Sequence, residues 1–166
     1  MGAELETGRE MKRTVYIETT IPSFYYEVRS EPAMIARRES TQRWWVNEGP
    51  NYDLVTSAFV LGELQEGDYP GKQDALTLIS DVPLLEIAPE IEEIVAVYAA
   101  RRLMPCRDLG DAYHLAVASF YGVDFLLTWN CRHLANANKV GHLRAVNAEL
   151  GLLVPVVTTP DLLLME

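Results

Sequence analysis

The chain has only two cysteines in 166 residues, Cys106 and Cys131, and neither stands in a CxxC or Cys/His ligand spacing. A zinc site and a disulfide framework are therefore not expected, and both thiols should be free. Although 49% of the residues are hydrophobic, no apolar run approaches the eighteen or so residues of a membrane span. The start lacks a basic segment followed by an apolar one, so the expected setting is the cytoplasm, without membrane association. Basic residues are also few: 14 Lys and Arg against 24 Asp and Glu leave a net charge of -10. Such a surface does not grip nucleic acid by bulk electrostatics, and contact with it needs a local basic patch or bridging metal ions. Internal repeats, low-complexity runs and a visible domain boundary are absent as well.

What is there alternates between strand and helix patterns. The first ten residues combine Glu4, Glu6 and Glu10 with small polar residues. Residues 1–11 are accordingly expected to be a disordered tail, with Met11 a candidate natural start, ahead of a single domain over 12–160. Strands are predicted at 13–18, 53–57, 83–88, 125–129 and 153–157, the last an edge strand because Pro155 cannot donate to a ladder. Helices are predicted between them, including 32–48, 59–66, 89–104 and a nearly all-apolar one through Ala112, Leu115, Ala116, Ala118 and Phe120. The fold class that follows is α/β, with three layers (α/β/α) around a central, mostly parallel sheet of five strands.

In such a sheet, sites form at the carboxyl ends of the strands. Glu18 ends the first strand, and Glu63 is read about two turns into the helix after the second strand, on its N-terminal half. Asp111 begins the apolar helix, and Asn130 ends the fourth strand. Asp124 opens that strand and so belongs to the opposite edge. Carboxylates converging from separate segments repel one another unless a cation neutralises them. Oxygen ligands without cysteine or paired histidine favour Mg²⁺ or Mn²⁺, which can activate a water against a phosphodiester.

Plain structural roles compete with this reading. Asp108-Leu-Gly-Asp111 also fits a helix N-terminus, with Asp108 as cap and Asp111 favoured by the helix dipole. Asn130 also fits a turn residue. His114 and His133 fit packing or backbone-bonded histidines, and Trp44, Trp45 and Trp129 fit a core or an interface. Arg132, Lys139 and Arg144 lie beyond the proposed edge, where they suit weak RNA contacts or a solvated face.

Tyr16-Ile-Glu-Thr-Thr-Ile-Pro-Ser, Ser57-x5-Glu63-Leu, Asp111-Ala-x-His-Leu-Ala and Leu127-Thr-Trp-Asn-Cys-x-His-Leu, in this order, resemble a PIN domain of the kind found in VapC-like toxins. The resemblance runs from the first strand to the last. It implies a metal-dependent single-strand endoribonuclease with Glu18, Glu63 and Asp111 as metal-binding acids, Thr19 supporting the first and Asn130 at the fourth catalytic position. It also implies an RNA substrate, an antitoxin partner covering the site and a homodimer, for which Phe24-Tyr-Tyr26, Trp44 and Trp45 could supply an interface. One tightly held ion is expected, with a second recruited by substrate. Two departures stand out. The first acid is Glu rather than the usual Asp, and Asn130 replaces a frequent Asp, so it brings no charge. Asp108 could compensate from the same helix face. The alternative is a PIN-fold binding module with a weakened metal site that acts through protein partners.

Overall fold

The computed structural model describes residues 11–105, 107 and 109–165. The expectations for residues 1–10, Cys106 and Asp108 lie outside the described residues; Met11 is exposed.

Five strands, β1 (Thr14–Ile17), β2 (Asp53–Ser57), β3 (Leu84–Leu85), β4 (Phe125–Leu127) and β5 (Val156–Thr158), form one sheet in the order β3-β2-β1-β4-β5. Every pairing is parallel. β1 is central and reads Thr-Val-Tyr-Ile, in which Val15, Tyr16 and Ile17 are all fully buried. Successive strand residues face opposite sides, so three consecutive buried residues must be covered on both faces. The cover comes from α1 (Thr20–Tyr25), α2 (Pro32–Arg43), α3 (Ala58–Gln65), α4 (Lys72–Ile79), α5 (Pro89–Ala100), α6 (Leu109–Phe120) and α7 (Val140–Leu150). Of these, α1 packs on α2 and α4, and α5 packs on α6. One continuous core runs from Val15 to Leu163, and α6 lies within it through Ala112, Leu115, Ala116, Val117 and Ala118. The α/β class with a central five-stranded parallel sheet is as expected.

Several boundaries differ from those predicted. The helix expected over 32–48 is α-helical only to Arg43 and ends in a π-helical turn, Trp44–Glu48. Trp44, expected in the core or at an interface, lies in the core, 1% exposed; it stacks on Tyr52 and donates its indole N–H to the Leu163 carbonyl. The third strand is two residues rather than six, because β3 pairs only with Thr56 and Ser57 before β2 gives way to α3. The fourth strand stops at Leu127, ahead of Thr128 and Trp129. β5 is an edge strand as expected, but it begins at Val156, so Pro155 precedes it rather than interrupting it.

Candidate functional site

The carboxyl edge of β1, β2 and β4 is where the backbone turns from strand to helix or loop, and the polar residues of interest gather there. Glu18 follows β1 directly. It is only 3% exposed, which requires its charge to be met by donors. Its Oε2 accepts from the Thr20 backbone N–H at 3.1 Å and from the hydroxyls of Thr20 at 2.5 Å and Thr128 at 2.7 Å. The Thr20 hydroxyl also accepts from the Trp129 N–H at 2.8 Å, tying the start of α1 to the end of β4. The residue that holds Glu18 is therefore Thr20, one position beyond the Thr19 expected. Thr19 Oγ1 is buried without a partner among the described residues.

Glu63 lies in the last turns of α3, not in its N-terminal half, since that helix spans only Ala58–Gln65. It still reaches the site because the short helix leaves the β2 edge directly. Its side chain is 39% exposed, and Oε1 is hydrogen-bonded to Nε2 of His114. A Cβ on Gly110 would come within 3.3 Å of the same oxygen, so glycine at the start of α6 lets that helix approach the carboxylate.

His114, expected to be a packing or backbone-bonded histidine, bonds side chains instead. It is fully buried, and both ring nitrogens are committed: Nε2 to Glu63, and Nδ1 to the Tyr16 hydroxyl at 2.7 Å. Tyr16 in turn is 2.7 Å from Ser57 Oγ. A chain of buried polar groups, Ser57–Tyr16–His114–Glu63, thus crosses from β2 over β1 and α6 back to α3. Burial alone would push the imidazole pKa down, but the hydrogen bond to Glu63 and the charges of Glu18, Glu63 and Asp111 outweigh it and hold it above the ordinary value. The Tyr16 phenol is pushed up, chiefly by burial. One signal for His114 was available: it sits three residues after Asp111, a spacing that puts both on one helix face.

Asp111 is in the first turn of α6 as predicted. Its Oδ2 accepts from Nδ2 of Asn130 at 2.9 Å, and Oδ1 of Asn130 accepts from the His133 N–H at 3.0 Å. Asn130 thereby pins Asp111 and starts the turn after β4 at once. Asp124 is at the opposite edge, accepting from the N–H and hydroxyl of Thr14. Of the expected RNA-contacting residues, Lys139 is half-buried and donates to the Leu103 carbonyl at 3.1 Å, while Arg132 and Arg144 are exposed.

One ligand atom from each of Glu18, Glu63 and His114 lies within 4.8 Å of the others. Two carboxylates this close suit a hard divalent cation held through oxygen, while Asp111, expected as the third acid, is not among the groups brought within that distance and is bonded to Asn130 instead. His114 suits a different part: with both nitrogens hydrogen-bonded, it orients Glu63 rather than offering a lone pair.

No family model and no curated protein matches the chain. Similar solved structures exist. Mycobacterium tuberculosis VapC20, a sarcin-ricin loop cleaving toxin, is 20% identical with a TM-score of 0.51, over 68% of this chain and 86% of that one. FitAcB from Neisseria gonorrhoeae is 16% identical with a TM-score of 0.53, over 90% of this chain and 99% of that one. The chain shares its fold with these two structures, which is the fold that the resemblance of the sequence motifs implies.

Proposed function

We propose that the chain is a metal-dependent endoribonuclease and the toxin of a toxin–antitoxin pair. The observation that carries this reading is the meeting of Glu18, Glu63 and His114 within 4.8 Å at the carboxyl edge of a parallel sheet, with Asp111 on the face of α6 that carries His114. Glu18, Glu63 and Asp111 would hold Mg²⁺ or Mn²⁺, which when bound lowers the pKa of a water and offsets charge on the phosphate. The protein's own contribution is positioning. Thr20 and Thr128 fix the Glu18 carboxylate, His114 fixes Glu63, and Asn130 fixes Asp111. Carboxylates held this way lose little further freedom when a cation and substrate arrive. The likeness to VapC20, a sarcin-ricin loop cleaving toxin, supports RNA as substrate, and the likeness to FitAcB supports an antitoxin as partner. A homodimer in the cytoplasm completes the reading; no helix among the described residues is long and apolar enough to cross a membrane.

The test is cleavage of purified RNA with Mg²⁺ or Mn²⁺. Asp111→Asn should abolish it while circular dichroism and the melting temperature stay close to the parent. Equal cleavage by parent and variant would overturn the assignment. A second reading, a binding module without catalysis, is favoured by Asn130, whose amide is spent at both ends on Asp111 and His133. Calorimetry separates the two: absence of saturable Mg²⁺ or Mn²⁺ binding, with RNA present, selects the module.

A further inference from the structure

A chain with a net charge of -10 that binds RNA must present cations locally, and several of its cations are already engaged. Arg29 pairs with Glu27, Arg38 donates to the Glu27 carbonyl, and Lys139 donates to the Leu103 carbonyl. Arg37 differs. Its guanidinium lies over two rings at once, 5.3 Å from the centroid of Phe24 and 5.2 Å from that of Trp129, yet it makes no hydrogen bond or ion pair with any described residue. Contact with both rings restrains the group while its N–H donors stay unused by any described residue, a state that suits bidentate binding of phosphate.

The platform beneath it is rigid and belongs to the site's own framework. Phe24 and Trp129 pack together with centroids 6.2 Å apart, and the Trp129 indole donates to the buried Thr41 hydroxyl at 2.8 Å. The Trp129 N–H binds the Thr20 hydroxyl, which itself binds Glu18. Trp129 also lies between Thr128 and Asn130, both of which hold site carboxylates. The chain must descend from α2 to the amino end of β2 at Asp53, so Arg37, in the first half of α2, stands on the part nearer the carboxyl edge.

We propose that Arg37 is a phosphate-binding residue, engaging a backbone phosphate of single-stranded RNA next to the one presented to Glu18, Glu63 and Asp111. The proposal rests on the ribonuclease reading above. It assigns Arg37 to substrate binding and not to catalysis, because the carboxylate cluster is complete without it. Arg13 provides an internal control. It lies over the Phe125 ring at 5.2 Å, a contact of the same kind, but at the amino edge of the sheet.

The experiment is fluorescence anisotropy of the full chain with a short labelled single-stranded RNA, in Ca²⁺ to suppress cleavage, over a series of salt concentrations. Arg37→Met keeps an apolar stem on the rings and removes the charge. It should weaken binding by about tenfold and make the slope of log K against log salt shallower by about 0.7, the contribution of one phosphate contact on a single strand. Arg37→Lys should keep the slope and lose part of the affinity, and Arg13→Met should change neither. Melting temperatures of all three variants establish that each is folded. Unchanged affinity and slope in Arg37→Met, or an equal loss in Arg13→Met, would overturn the assignment to Arg37 while leaving the ribonuclease reading standing. A parent chain that binds no RNA at all would overturn both.

Discussion

Asn130 sets the charge of the site without carrying any. Its Nδ2 donates to Asp111 and its Oδ1 accepts from the His133 N–H, so Asn130→Asp would keep the second contact and turn the first into a carboxylate pair. Losing a hydrogen bond to a charged group costs about 1.5–3 kcal/mol, and the new repulsion adds to it. The variant should therefore melt lower than the parent in EDTA and bind Mn²⁺ more tightly, a crossover that melting curves with and without the ion would reveal. Tyr16→Phe probes the other arm. It removes the hydroxyl joining Ser57 to His114, leaves the buried Nδ1 unpaired, and should destabilise the apoprotein by about 1–3 kcal/mol. If His114 positions Glu63, the variant also binds Mn²⁺ more weakly; calorimetric affinity equal to the parent's would assign Tyr16 to stability alone. That Glu18 and Asn130 stand beyond the carboxyl ends of β1 and β4, and Glu63 and Asp111 on helices next to that edge, was legible in the sequence because the topology sends strand ends to one edge. His114 was not: a histidine on an apolar helix face reads as packing until Tyr16 and Glu63 are seen on either side of it. The shift from Thr19 to Thr20 is equally invisible, since adjacent hydroxyls differ only in where the first turn of α1 points them.

The elements away from the site are locked by a second buried network. The Tyr98 hydroxyl of α5 donates to Asn147 Oδ1 of α7 at 2.6 Å and lies 3.2 Å from Ser119 Oγ of α6, while Asn147 Nδ2 donates to Ser119 Oγ and to the Leu153 carbonyl. Three helices and the approach to β5 thus meet on one side chain. Asn147→Ala leaves the Leu153 carbonyl without this donor and the Tyr98 phenol with Ser119 alone, and should cost about 1–3 kcal/mol. The cost should appear as a lower urea midpoint with an unchanged m-value, and a loss below half a kilocalorie would show that water replaces the amide. Hydrophobic periodicity located these helices, because Ile91, Ile94, Val95 and Tyr98 recur on one face and are all buried. It could not give the lengths of β3 and β5. A strand ends where its neighbour ends or where proline removes a donor, and the first of these is a tertiary fact: β3 stops because β2 has already turned into α3. The π-helical turn at Trp44–Glu48 is tertiary in the same sense, since Trp44 enters the core there to stack on Tyr52.

At the scale of the molecule, the alternating strand and helix patterns sufficed for the α/β class, and burial of every residue from Val15 to Ile17 marks β1 as central. Composition could not show which tyrosines the core keeps neutral. Burial pushes Tyr98 up from 10.0 to about 12, only partly offset by its hydrogen bonds to Ser119 and Asn147, and raises Tyr16 as well. A phenol with a raised folded pKa binds its proton more tightly in the folded state than in the unfolded one. The corresponding stability is fully present below pH 10 and is lost as pH rises through the folded value. For Tyr98 the loss is on the order of 2–3 kcal/mol, with Tyr16 adding in the same direction. Urea unfolding measured across this range should show a steep alkaline decline. Tyr98→Phe should begin less stable at neutral pH, because Asn147 loses a partner, yet decline less steeply, so that the two stability curves converge as pH rises. Parallel curves would mean that Tyr98 ionises alike in both states and that its network contributes packing but no proton linkage.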